Sequence, residues 1–168
     1  YKTNIETLQK DKSDNLIYLY ASDKDTQHVY IQNAKERGYD VLLMDGFLDV
    51  HFINMLEQKL EKSRFTRVDA DVIDKLIEKE EQHISKLSEE ETTKIKEAFD
   101  NQVEKEKFTV QVESLSETDL PIMITRNEFM RRYQDMEKIS GQKSFYGAFE
   151  HYNLVVNGNH EIVQKVLH

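Results

Sequence analysis

The stretch YDVLLMDGFLDVHFINML, residues 39–56, constrains what this chain can fold into more than any other part of it. Its apolar run at 41–44 is short and continuous, the pattern of a strand covered on both faces in a parallel sheet. Asp45-Gly46 stops the run: glycine supplies the backbone freedom of a sharp turn, and aspartate can hydrogen-bond its own backbone. Asp49 is the expected N-cap of the next helix, its carboxylate over free N–H groups. In that helix Phe52, Ile53, Leu56 and Leu60 form the apolar stripe, while His51 and Asn54 lie off it on a flank that can face solvent. Strand, turn and helix make half of a βαβ unit.

The other half precedes it. LIYLYA at 16–21 is a second buried-strand run. Ser22 with Asp25 resembles a capping box, and Val29, Ile31 and Ala34 support a short helix ending at Gly38 as C′ residue. This order favours a parallel, right-handed crossover. Residues 65–68 add another strand, and Val72, Ile73, Leu76 and Ile77 hold a helical stripe inside an acidic stretch. A domain boundary is expected within 80–87. Beyond it, Ser88 and Glu91 form a capping box, followed by Ile95, Ala98, Phe99 and Val103 on one helix face. FTVQV at 108–112 alternates as a half-buried strand does, and 121–124 and 154–156 read as two more strands. Thr125 with Glu128 is a further capping box, opening a helix to about Ile139. Asn157-Gly158 usually marks a hairpin, but Asn159 can instead cap a last helix carrying Ile162, Val163 and Val166. The expected fold class is α/β followed by α+β: a small three-layer βαβ unit over 1–84, then a helix, short sheet and amphipathic helix over 85–168.

Composition narrows the function. A formal net charge of −9 argues against binding duplex nucleic acid, whose affinity rests on neutralising phosphates. With no cysteine there is no disulfide framework or thiolate site, and a reducing cytoplasmic setting is the default. No apolar run nears the roughly 18 residues of a membrane helix. The six histidines do not pair at metal-ligand spacings, so no metal site is expected. Asp69, Asp71 and Asp74 lack the glycine and closing glutamate of a calcium loop and read as a solvated helix start. There is no phosphate-binding loop and no nucleophile elbow. Asp45 and Asp49 flank a loop at a strand end, where α/β ligand sites lie, though turn formation and capping account for both. The chain begins at Tyr1 and reads as a piece of a longer protein.

The stretch 125–139 is different. Phe129, Met130, Tyr133, Met136 and Ile139 project from one broad face, with Arg131, Gln134, Asp135 and Lys138 opposite. Such a stripe packs on its own core or is an exposed binding face. Methionine, flexible and polarizable, suits surfaces that accept varied partners. The polar face is not strongly basic, which makes a membrane-surface role the weaker option.

At four places the sequence resembles the heat-shock-protein-90 chaperones of bacterial HtpG type: YDVLLMDGFLDVHFINMLEQKL, LIYLYASDKDTQHVYI, SETDLPIMITRNEFMRR and YNLVVNGNHEIVQKV, in collinear order over nearly the whole chain. The last departs from the family in having Gly158-Asn159 for Pro-Asp and Glu161 for a second Pro. The resemblance implies the end of a middle domain (1–84) plus a C-terminal domain without its final dimerisation helices (85–168). It implies a cytoplasmic, homodimeric parent chaperone that is an ATPase, with ATP and magnesium held by a domain absent here. This piece is then no enzyme, has no cofactor, and is a monomer or weak dimer that binds no nucleic acid or membrane. The implied partners are non-native client proteins. The implied client-binding residues are His51, Phe52 and Asn54 on the middle-domain helix and Phe129, Met130, Tyr133 and Met136 on the amphipathic one. The alternative is a small α/β enzyme or ligand-binding domain using the loop of Asp45 and Asp49.

Overall fold

A computed structural model of the chain describes residues 2–46, 48–79, 83–127, 131–132 and 151–167. The described residues form two compact units, one drawn from Tyr1–Glu80 and Glu128–Lys143, the other from Glu81–Asn127 and Ser144–His168.

In the first unit the elements run α1 (Lys2–Leu8), β1 (Leu16–Ala21), α2 (His28–Glu36), β2 (Val41–Leu43), α3 (Asp49–Lys59), β3 (Ser63–Arg67) and α4 (Ile73–Leu76). The sheet is parallel, in the order β2-β1-β3. Because strand side chains alternate, β1 serves two cores. Ile17, Leu19 and Ala21 pack with Ala34 of α2 and with Val68, Ile73, Leu76 and Ile77. Tyr18 and Tyr20 face the other way, with Phe65 and with Ile53 and Leu56 of α3. Helices on both faces of a sheet give the expected three layers. The expected burial of 41–44 on both faces does not hold: β2 is an edge strand, half-buried, with Leu43 52% exposed, and of the two apolar runs only β1 is covered on both sides.

Gly38 has φ +76, and Tyr39 N–H donates to the Ala34 carbonyl while Gly38 N–H donates to that of Lys35, a complete Schellman closure of α2. The Ser22–Asp25 box does not form. Instead the buried Gln27 side-chain oxygen accepts from the Ser22 and Asp23 N–H groups, and Asp23 accepts from Asp25 and Thr26. Gln9, wholly buried, donates to the Ile17 carbonyl at 2.8 Å and accepts from Asp40 N–H at 2.7 Å, tying α1 to the sheet. Among the acidic residues, Asp69 pairs with Arg67 at 2.5 and 2.7 Å, Asp71 accepts from Val72 N–H, and Asp74 pairs with Arg37 at 2.8 Å.

The second unit has α5 (Glu89–Asp100), β4 (Phe108–Glu113), β5 (Ile122–Thr125), β6 (Tyr152–Asn157), and α6 (Glu161–Gln164) running into a 3-10 turn (Lys165–Leu167). β6 is central, parallel to β4 and antiparallel to β5. Ile95 of α5 and Val163 of α6 cover Val110, Leu154 and Val156 on one face. The Ser88–Glu91 capping box is complete. Two caps are corrected. Thr125 is not an N-cap but the buried end of β5, paired with Asn153; Glu128 lies outside the described residues. Asn159 does not cap the last helix: His160 does, its Nδ1 accepting from Ile162 N–H at 3.1 Å. Asn159 is buried and binds the carbonyls of Ile84 and Leu115 and the N–H of Lys86. Asn157 adds Leu115 N–H and the Ser116 carbonyl, so the two asparagines hold 84–86 and 115–116 to the end of β6.

Candidate binding face on α3

The connection from β2 to α3 is short. Asp49 is the first helical residue rather than the N-cap, which is Leu48. Its carboxylate accepts from Gly46 N–H at 2.8 Å and so closes the turn. This places Leu48 at the helix mouth, 65% exposed.

From there α3 divides into three strips. Ile53, 1% exposed, and half-buried Leu56 go into the core with Tyr20 and Phe65. Phe52, expected in that stripe, is 47% exposed, and Leu60 is also exposed. Phe52 lies about 100° round the helix from Ile53, so with Ile53 in the core Phe52 falls at the margin of the packed face. Leu48, Phe52 and Met55, spaced four and three apart, instead make an apolar stripe in solvent, with Met55 at 40%. His51 beside them is exposed. Leu48 and Met55 were missed in the sequence, although their spacing to Phe52 was the available signal.

The third strip is polar. Asn54 and Glu57 are half-buried and face Arg132, one of two described helical residues between β5 and β6. Arg132 donates to Glu57 at 2.7 and 3.2 Å, to the Phe65 carbonyl at 2.6 Å and to Asn54 at 3.4 Å. Glu57 also accepts from Phe65 N–H at 2.8 Å, joining α3 to β3. Arg131, read on the polar face opposite the apolar stripe of 125–139, is 3% exposed. It donates to the Tyr20 hydroxyl, its guanidinium 5.6 Å from that ring's centre. Phe129, Met130, Tyr133 and Met136 lie outside the described residues.

Among the described residues no group of three His, Cys, Asp or Glu could hold a metal, and no helix is long and apolar enough to cross a membrane. Asp45 is exposed, and Asp49 is engaged in the turn. What the face offers is aliphatic, aromatic and thioether surface with an imidazole and an amide beside it, the equipment of a binding surface.

The chain is thus a parallel three-layer α/β unit with an exposed apolar stripe on α3, and a second unit of helices on a mixed three-stranded sheet. No family model matches the chain. Proteins named chaperone protein HtpG do: from Bacteroides fragilis at 50% identity, Bacteroides thetaiotaomicron at 48% and Porphyromonas gingivalis at 44%, each over 99% of this chain. The chain spans about a quarter of the length of these curated relatives. Over that span it belongs to the heat-shock-protein-90 chaperone family, HtpG type.

Proposed function

We propose that this chain supplies client contact in an HtpG-type chaperone, its α3 face capturing apolar side chains of non-native proteins. The observation that carries the reading is the stripe of Leu48, Phe52 and Met55 left in solvent beside His51 and Asn54. A contiguous exposed apolar surface marks an interaction site more often than an accident of folding. Phe129, Met130, Tyr133 and Met136 form the second contact region on the same reading. The chain itself turns over no ATP, because ATP and magnesium belong to other parts of the full-length family. It is a monomer or weak dimer whose parent is a cytoplasmic homodimer. The engagement of Asp49 with its own turn weighs against an enzyme site there.

The test is the double variant Leu48→Ser/Phe52→Ser. Affinity for a reduced, unfolded client, read by fluorescence anisotropy, is expected to fall by on the order of tenfold or more, since burying each such side chain is worth roughly 1.5–3 kcal/mol. Thermal unfolding should hardly move, because exposed substitutions change stability by about 0.5 kcal/mol or less. Unchanged client affinity would overturn the reading.

A further inference from the structure

We infer that Arg132 is a positioning residue for the α3 face, and that client contact there and the docking of residues 131–132 strengthen each other through Glu57. The inference rests on the client-binding reading of α3. A guanidinium is a planar fork of donors that suits a carboxylate with a neighbouring carbonyl. Arg132 uses it so: one side on both Glu57 oxygens, another on the Phe65 carbonyl, with Asn54 within reach. The residue before it is buried against Tyr20, whose side chain belongs to the α3 side of the sheet. Two consecutive arginines are thus fastened to the layer that carries the docking helix. Asn54 and Glu57 sit on the same helix as the exposed stripe, and Asn54 follows His51 by three residues, as a surface neighbour. A client pressed onto His51, Phe52 and Met55 restrains α3. The restrained helix presents Glu57 and Asn54 to Arg132 at lower entropic cost, and docked Arg132 does the same for the client. Such a gain is reciprocal, as any coupling between two binding events must be.

Trypsin reads this directly, because it cuts after Arg131 and Arg132, and a residue 3% exposed must undock to be cut. The experiment follows those two cuts by mass spectrometry in the full 168-residue chain. A saturating reduced, unfolded client is expected to slow them about fivefold, the lower end of ordinary coupling. Glu57→Gln should speed the basal cuts and abolish the protection. Arg132→Lys, which keeps the charge without the fork and is still cut, should fall between. Thermal melting checks that each variant is folded; if Glu57→Gln is not, Arg132→Lys carries the comparison. Cut rates indifferent to client, while Leu48→Ser/Phe52→Ser still weakens client binding, would overturn the coupling and leave the client reading standing. Protection that survives Glu57→Gln would be direct shielding and would also overturn it. If Leu48→Ser/Phe52→Ser leaves client affinity unchanged, the client reading fails and the coupling with it.

Discussion

At Gly158 a Cβ would lie 2.8 Å from Leu87 Cδ1 and 3.3 Å from Val112 Cγ1. The glycine is there for space, between the two asparagines that knot the end of β6. Gly158→Ala should therefore cost about 1–3 kcal/mol, the usual penalty of overpacking. A melting temperature equal to the parent's would show that Leu87 yields freely. Asp11 carries a pH dependence. Burial alone would raise its carboxyl, but bonds from the Asn15 side chain and the Asn15 and Ser13 N–H groups outweigh this and hold it below the ordinary value. A depressed carboxylate adds stability above its unfolded pKa, and that stability is lost as pH falls through the folded one. The parent's melting temperature should drop below about pH 4, and Asp11→Asn should make that drop shallower. Equal slopes for the two proteins would remove Asp11 from the account. Asp11 and Gln9 show what residue-level reading misses. An Asx-type loop closure can be guessed, but a glutamine buried to serve a strand cannot.

Among the elements, β1 and β2 carry similar apolar sequences and opposite fates. Leu19 is wholly buried between two layers, whereas Leu43 stands on the edge, half in water. Leu19→Ala should cost about 2–5 kcal/mol as a core truncation, and Leu43→Ala no more than about 0.5 kcal/mol as a surface change. Comparable losses in chemical denaturation would mean that the edge of β2 is covered. Element type was legible for both strands, since each is a short apolar run. Which one lies in the middle depends on β3 joining β1 rather than β2, a long-range pairing that local pattern does not encode. Likewise α3 reads as amphipathic, but with Ile53 in the core Phe52 falls at the margin of the packed face.

For the whole molecule, the first unit is discontinuous in sequence, since Arg131 and Arg132 belong with residues up to 80. A chain ending at residue 84 keeps every strand of the first sheet but loses both arginines. Hydrogen bonds to a charged group are worth about 1.5–3 kcal/mol, and in a domain this small each kcal/mol moves the midpoint by roughly 4–8 °C. The 1–84 piece should thus melt several degrees below the first unit's transition in the full chain. Calorimetry finding the two transitions at one temperature would argue that the arginines add nothing to that unit's stability.

The sequence by itself determined the βαβ order, the Schellman stop at Gly38, the capping box at Ser88 and the family resemblance, because each is written in residues adjacent or a turn apart. Tertiary structure alone decided that β1 is central, that Asn159 binds loops instead of capping, that Leu48 and Met55 join Phe52 in solvent, and that Arg132 reaches Glu57 across 75 residues of chain. Those outcomes depend on which surfaces remain after distant segments have packed, and a helix or strand carries no record of the partner it will meet.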